Sequence, residues 1–499
     1  GTDSESFHWL NHLVGRPSSR LPLAHQHSTP TGLAIILCIM TATIAVPPAA
    51  PVVHSTGDKF LTGFEIFFRR TFLSLLILFL APIIVILLWY THAHLDGSFL
   101  ALFERFYERG FFVTVYIDAW RPVAFGSPIA WKIIGGFVAL QIMLDIAVPG
   151  KKYNGPVTPK GNVPHYKNNG LAVYLITMTL FAVFGLYLRV FDPAVVYDQF
   201  GYLLGAANLL GVVFAFFLYI KGSYFPSSSD VYPTGNLAFD YYYGVELYPR
   251  ILGVDVKLMT NCRFGMMIWP LIILSFAAKQ HQLHGALSDS MAVSILLQLV
   301  YITKFFNWES GYMWTLDIMH DRAGFYICWG CIAFLPSVYT TAPLYLVARP
   351  IHLGTPLATA ITVAGLACIY LNKNADDQRQ AARAAADRGE EYPILGAPAK
   401  FVEAVYVGAD GKKKRSRLLR SGHWGVARHL NYTWELLAAF LWCCPAAFGH
   451  GLPYFYWYFL FVCLVDRALR DDRRCRAKYI VGWEEYCKFV PYQFVPFFF

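Results

Sequence analysis

Charged side chains interrupt the hydrophobic pattern between Trp308 and Tyr326. Asp317 and Asp321 are four residues apart, so a helix would place them on one face, with His320 beside them. A carboxyl group or an imidazole in an apolar pocket has a shifted pKa and can donate a proton. The alternative is a polar cap at a membrane interface. The polar residues of this candidate catalytic segment are Glu309, Tyr312, Asp317, His320, Asp321 and Arg322.

A second charged segment, Asp466 to Tyr479, continues the last apolar stretch of the chain. Arg467, Asp471, Arg474 and Lys478 are spaced by four, three and four residues, so a helix would place them on one face. A basic helix beside a membrane commonly anchors to lipid headgroups. Here acids are mixed with bases and aromatic residues follow, which favours a polyphosphate ligand that carries a ribose and a ring.

A third polar segment runs from residue 376 to residue 432 and contains Arg379 and Arg383, again four residues apart. The run Lys412–Arg415 inside it is typical of a solvated loop tip. The second and third segments lie on the same predicted side of the membrane. Together they are predicted to form one pocket for an anionic ligand.

The elements that must position these segments are hydrophobic. Of the 499 residues, 56% are hydrophobic and 15% are charged, whereas ordinary globular chains have about 45–50% and ~25%. This composition excludes a disordered chain and a small disulfide scaffold. The net charge of +9 is diffuse and does not indicate nucleic-acid binding, because multi-span proteins keep Lys and Arg on the cytosolic side.

The pattern predicts an all-α polytopic membrane protein, because about 20 apolar residues are needed for each helix that crosses a bilayer. Basic loops follow the second, fourth and eighth spans, whereas the loop after the sixth is acid-rich; this alternation predicts a cytosolic location for both termini. The ten predicted spans are 71–90, 132–149, 170–190, 202–220, 264–279, 289–306, 323–347, 353–371, 434–449 and 452–468, the last two forming a helical hairpin.

Two further patterns bear on function. Cys328 and Cys331 form a literal CxxC inside a hydrophobic stretch, which favours a packed thiol pair over a redox or metal site. The sequence contains no Walker P-loop, no GxGxxG and no HExxH, and no metal site is expected.

The motifs resemble those of the sterol reductase family, whose members reduce ring double bonds with NADPH. Within that family, the sequence is most similar to the members that act on the C7–C8 bond. The resemblance runs from about residue 71 to the C-terminus. The motifs that carry it are Thr234-Gly235-Asn236, Pro249-Arg250, Ser275 to Gln280, Asp317 to Asp321 with Gly324 and Tyr326, Trp424 to His429, Asn431-Tyr432, and Arg470-Asp471 to Lys478-Tyr479.

The resemblance implies an endoplasmic reticulum membrane enzyme whose NADPH pocket opens to the cytosol. It implies N-terminal spans over 71–260 and C-terminal spans with the sterol and NADPH pockets over 261–499. It does not extend to residues 1–70, whose many Pro, Ser and His residues indicate a disordered or targeting arm. Membrane lipid and other sterol-biosynthesis enzymes are expected partners. The implied NADPH contacts are Arg379, Arg383, Leu419, Trp424, Asn431, Tyr432, Asp471, Cys475, Arg476, Ala477, Lys478, Tyr479 and Tyr486.

The implied substrate class defines the chemistry. A 5,7-diene sterol is electron-rich, so C8 must be protonated before, or together with, hydride transfer to C7. The acid must lie in a dry pocket. Five candidates for it remain unranked: Asp317, Asp321, Tyr326, His320 and Glu309.

Several alternatives stay open at this point. A sterol C14 reductase would share the cofactor half and differ in its diene substrate. A non-enzymatic sterol-binding protein of the lamin B receptor type would need an additional N-terminal domain. An isoprenylcysteine methyltransferase would be much shorter, and a transporter would be expected to show internal repeats.

Overall fold

The computed structural model describes residues 67–407, 413–479 and 482–496, without the side chain of Arg69. The predictions for residues 1–66 and for Lys412 lie outside the described residues. All described residues belong to one compact unit. The predicted boundary between residues 260 and 261 lies within the helical segment Val256–His284.

Within these described ranges, nine helical segments are long and apolar enough to cross a membrane. They agree with nine of the ten predicted spans. The segment predicted at 434–449 forms a helix of 14 residues, Leu430–Cys443, because Pro445 ends its hydrogen-bond ladder. The nine segments are Arg70–His94, Pro128–Ala147, Gly170–Tyr187, Phe200–Tyr224, Val256–His284, Asp289–Asn307, Phe325–Ala348, Thr355–Asp387 and Leu452–Lys478.

The α-helices are α1 (Leu73–His94), α2 (Phe99–Arg109), α3 (Pro128–Ala147), α4 (Gly170–Phe181), α5 (Val195–Asp198), α6 (Phe200–Tyr224), α7 (Leu237–Tyr243), α8 (Val256–Leu258), α9 (Met266–His284), α10 (Asp289–Asn307), α11 (Glu309–Tyr312), α12 (Leu316–Met319), α13 (Phe325–Trp329), α14 (Leu335–Val338), α15 (Thr341–Ala348), α16 (Thr355–Asp387), α17 (His423–Val426), α18 (Leu430–Cys443), α19 (Phe455–Lys478) and α20 (Gly482–Phe489). Turns of π-helix occupy Phe68–Phe72, Val113–Trp120, Ala182–Tyr187, Met259–Gly265 and Gly330–Phe334, and 3-10 turns occupy Cys444–Ala446 and Leu452–Tyr454.

The fold is mostly helical, as predicted. It also contains small antiparallel hairpins, which the all-α prediction did not include. In the longest of them, Phe401 pairs with Leu419 at one end and Val407 with Lys413 at the other. The strands are β1 (Lys151–Asn154), β2 (His165–Asn168), β3 (Arg250–Ile251), β4 (Val254–Asp255), β5 (Pro393–Ile394), β6 (Ala397–Pro398), β7 (Phe401–Val407) and β8 (Lys413–Leu419).

Two helices extend beyond the thickness of a bilayer, and their ends position the charged segments. At 1.5 Å per residue, the 33 residues of α16 span about 50 Å, against about 30 Å for the hydrocarbon core. The apolar part of α16 ends near Leu371, and α19 changes from apolar to charged residues at Asp466. Helix α18 packs against α10, α16 and α19, so both charged ends meet at one side of the bundle.

Candidate functional site

One cavity of about 1040 Å³ reaches from the hydrophobic interior to the charged helix ends. One part of its wall is apolar and comes mainly from α1, α9 and the span Phe325–Ala348. The other part is charged and comes from α16 and α19. The apolar wall includes Ile77, Ala81, Ile84, Met266, Trp269, Phe334 and Leu335, and the charged wall includes Lys373, Asp376, Arg379, Arg383, Arg467, Arg470, Asp471 and Arg474.

Helix α19 runs along both parts of the cavity. Phe459 and Leu460 line the apolar part, and Arg467, Asp471 and Arg474 line the charged part. From residue 459 to residue 474 the helix rises about 22 Å, so the cavity is elongated along it. Of the four residues predicted to share a face, only Lys478 is outside the lining, with its Nζ 4.2 Å from the centre of the Tyr406 ring.

The end of α16 brings the third charged segment to the same cavity. Arg379 and Arg383 both line it. Arg379 Nη2 donates to Asp376 Oδ1 at 3.0 Å, and its guanidinium lies 4.1 Å from the centre of the Trp424 ring. The structure therefore brings the second and third charged segments together, as the spacing of their arginines and their common membrane side had indicated.

The start of α18 supplies the amide and aromatic part of this wall, where Asn431 and Tyr432 line the cavity. Asn431 Oδ1 is buried and, within the described part of the chain, has no hydrogen-bond partner. The Tyr432 ring stacks on His429 at 4.8 Å, and His429 Nε2 lies 3.6 Å from Asp471 Oδ2. Burial lowers the pKa of His429 to about 4, so this imidazole is neutral at pH 7.

The other implied cofactor residues are outside the cavity lining. Leu419 and Trp424 pack with Ala382 in one apolar cluster. Tyr479 and Tyr486 belong to a second cluster that supports the end of α19. Because they hold the helix ends in place, they can affect a ligand without lining its cavity. The residues in this supporting position are Leu419, Trp424, Cys475, Tyr479 and Tyr486, whereas Arg476, Ala477 and Lys478 are exposed.

Asp317 and Tyr326 are the two proton-donor candidates that line the cavity. Both carboxylate oxygens of Asp317 accept hydrogen bonds from Arg467 Nη2, at 2.9 and 3.0 Å. This ion pair joins the candidate catalytic segment to α19, at the border between the apolar and charged walls.

Asp321 lies outside the cavity lining, behind Tyr243 and Tyr326. Its buried carboxylate accepts a hydrogen bond from Tyr243 Oη at 2.7 Å, and the Tyr243 ring stacks on Tyr326 at 6.5 Å. Burial and the nearby Asp317 carboxylate raise the pKa of Asp321. Burial and the nearby Arg474 guanidinium lower the pKa of His320, which is outside the lining, to about 4.

The structure corrects the expectation that Asp317 and Asp321 share a helical face. Helix α12 is a single turn that ends at Met319. The fully buried Lys257 Nζ donates to the carbonyl oxygens of Asp317, Ile318 and Asp321 at 3.0, 2.6 and 2.8 Å. In a longer helix these carbonyls would accept backbone hydrogen bonds, so the ammonium group stabilises the end of the helix at this point. The two carboxylates then face different partners, Arg467 for Asp317 and Tyr243 for Asp321.

Glu309 lies in a buried polar network away from the cavity wall. Its carboxylate accepts hydrogen bonds from Arg263 and from the backbone N–H of Gly170, the latter at 2.9 Å. Arg263 also donates to Asn169 Oδ1 at 2.7 Å and to Asp145 Oδ1 at 3.0 Å. The network joins α3, α4, α11 and the span Val256–His284, which is a structural role.

A polar cluster that the motifs and spacings did not indicate also lines the cavity. Tyr301 Oη donates to Glu435, and Lys304 Nζ donates to Asn372 Oδ1 at 2.5 Å and lies 3.9 Å from Glu435. Lys304 and Glu435 are charged residues inside the apolar stretches 289–306 and 434–449. Because charges at membrane depth are costly, their presence there was a usable signal.

Comparisons with known proteins give one consistent result. The model of the ergosterol biosynthesis ERG4/ERG24 family matches residues 68–499. A 7-dehydrocholesterol reductase of Arabidopsis thaliana is 48% identical over 430 residues, 85% of this chain and 97% of that protein. A 7-dehydrocholesterol reductase of Xenopus laevis is 38% identical over 76% of this chain and 82% of that protein. A Delta(14)-sterol reductase of Methylotuvimicrobium alcaliphilum is 36% identical over 85% of this chain and 94% of that protein.

Proposed function

The chain belongs to the ERG4/ERG24 family and is a sterol reductase, and from this premise we propose that it uses NADPH to reduce the C7–C8 double bond of 5,7-diene sterols. The observation that supports this proposal is the two-part cavity. A flat apolar substrate fits its apolar part, and the phosphates of a dinucleotide fit the charged part.

The charged wall suits NADPH chemically. Arginine donates paired hydrogen bonds to phosphate oxygens, and Arg379, Arg383 and Arg474 all face the cavity. The buried Asn431 Oδ1, without a partner among the described residues, can accept from an amide or hydroxyl group of the cofactor. When bound, the cofactor supplies a hydride.

The reaction requires one proton and one hydride. Protonation at C8 gives an allylic cation over C5 to C7, and hydride at C7 leaves the C5–C6 double bond in place. The apolar wall excludes water around the cation. Arg467 donates to both carboxylate oxygens of Asp317, so we assign proton donation to a tyrosine instead. Among the several tyrosines that line the cavity, we choose Tyr326 of the candidate catalytic segment or Tyr301, which is hydrogen-bonded to Glu435.

The two phenols can be separated by substitution. General acids typically contribute about 10²–10⁴-fold to the rate. We therefore expect kcat to fall at least about 100-fold when the donor tyrosine is replaced by Phe, and to fall less when the other tyrosine is replaced. Equal activity of Tyr326→Phe, Tyr301→Phe and the unchanged chain would contradict the assignment.

We further propose an endoplasmic reticulum location with both termini in the cytosol. This topology requires an even number of crossings, and we assign the tenth to α18 with the turn Cys444–Ala446 that follows it. The nine candidate spans in the described residues support a multi-pass membrane protein. Membrane lipid then delivers the sterol, and the charged end of the cavity faces the cytosolic NADPH.

The test uses the purified full chain with NADPH and a 5,7-diene sterol, and follows the loss of the diene ultraviolet absorbance. We expect loss that depends on both the chain and NADPH. Persistence of the diene with a folded protein would overturn the proposal.

Reduction of the C14 double bond is the second candidate, favoured by the 36% identity to a Delta(14)-sterol reductase. Turnover of an 8,14-diene sterol in the same assay distinguishes the two. Binding of either sterol without turnover would instead support a non-enzymatic role.

A further inference from the structure

Asn261 places an amide group in the apolar part of the cavity. It lies in the π-helical turn Met259–Gly265, within the span Val256–His284. Met266 and Trp269 of the same span also line the cavity. A π-turn changes which side chains face inward and is frequent at functional sites. The turn therefore directs a polar residue into an apolar wall.

The amide has weak partners. Its Nδ2 donates to Cys331 Sγ at 3.5 Å, and Cys262 Sγ donates to its Oδ1 at 3.8 Å. Among the described residues, the hydrogen bonds of this amide go to these sulfur atoms. Sulfur is a weak donor and acceptor, and an amide in apolar surroundings is costly without a good partner. The side chain is half-buried, so the amide can reach a ligand in the cavity.

We propose that Asn261 binds the ring hydroxyl group of the sterol, an inference that rests on the proposed function. A sterol has one hydroxyl group on an apolar skeleton, and this group both donates and accepts. An amide offers the complementary acceptor and donor, and Met266 and Leu335 supply apolar contacts nearby. A site that hydrogen-bonds a substrate hydroxyl strongly rejects analogues that lack it. Asn261 is thus a specificity-determining residue.

The test compares a 5,7-diene sterol with its 3-deoxy counterpart in Asn261→Leu and Asn261→Ala. We expect kcat/KM for the hydroxylated sterol to fall by about 10- to 100-fold, because the buried hydroxyl loses its partner. For the deoxy sterol we expect a change within about threefold. The matched control is Gln141→Leu, which removes a buried amide bonded to Thr177 at 3.1 Å in a different span, outside the cavity lining. It should leave the ratio of the two substrates unchanged.

Equal losses for both sterols, or no loss in either Asn261 variant, would overturn the proposal. Equilibrium binding of a saturated sterol and its deoxy analogue gives a second measurement that needs no turnover. A preference for the hydroxyl that disappears in both variants supports the subsite even if the diene assay fails. If the unchanged chain binds both equally, the subsite is disproved while the proposed reaction can still stand.

Discussion

Two arginine–carboxylate pairs flank the polar segment between the spans Asp289–Asn307 and Phe325–Ala348, and they differ in what surrounds them. In the Arg263–Glu309 pair both side chains are fully buried, with 0% exposure. In the Arg467–Asp317 pair they are 26% and 20% exposed, and both residues line the cavity. Similar chemistry thus serves different ends: the enclosed pair joins helices, and the open pair can contact a ligand.

The largest effect is expected on breaking the enclosed pair. Arg263→Met leaves Glu309 buried without its cation, which should cost about 3–5 kcal/mol of unfolding free energy. Thermal denaturation in detergent measures it. The double variant Arg263→Met with Glu309→Leu removes both charges and should recover part of the loss. A single variant that melts like the unchanged chain would contradict the structural role.

Breaking the open pair should affect activity rather than stability. We expect Arg467→Met to lower kcat/KM by about 100-fold, equivalent to about 2.7 kcal/mol, because Arg467 contacts both Asp317 and the cavity. The matched control is Arg473→Met, on the same helix but outside the lining. Steady-state kinetics and melting curves check both variants, and equal losses in the two would remove the distinction.

A smaller effect is expected from the buried cation that orients the open pair. Lys257→Met leaves three carbonyls of the α12 turn without their donor and should reduce kcat about tenfold, about 1.4 kcal/mol. KM for NADPH should stay unchanged, since Lys257 is outside the charged wall. Lys257→Arg, which keeps the charge and donors, should recover part of the rate. A rise in KM without a fall in kcat would contradict a positioning role.

The smallest effect concerns pH. Burial and Asp317 raise the pKa of Asp321, so the folded chain holds its proton at pH values where the unfolded chain, near pKa 3.9, releases it. Stability therefore falls as pH rises from about 4 through the raised pKa of Asp321. Asp321→Asn should remove this decline. Parallel melting profiles of both proteins across this pH range would disprove the predicted contribution of Asp321 to stability. Unchanged turnover of Asp321→Asn would exclude Asp321 as the acid.

The charged wall could be predicted because it lies on regular helices. Arg379 and Arg383, or Arg467 and Asp471, are one turn apart, so spacing alone places each pair on one face. The second and third charged segments were also predicted to lie on the same side of the membrane, which indicated one pocket. What spacing could not show is that Trp424 and Tyr479 support this wall from behind.

The candidate catalytic segment could not be predicted to the same depth because its turns are short and irregular. The prediction that Asp317 and Asp321 share a helical face was wrong, since the helix ends at Met319. The stop depends on Lys257, which is 60 residues from Asp317 in sequence. No local pattern contains that information.

The sequence by itself determined a helical membrane protein and the charged helix faces, because hydrophobicity and helical period are local properties of the chain, and its motifs indicated the family. Only the tertiary structure decided which carboxylate faces the cavity. Asp317 pairs with an arginine 150 residues away and Glu309 with one 46 residues away. Such partners are brought together by the packing of distant spans, so the packing separates the open pair from the enclosed one.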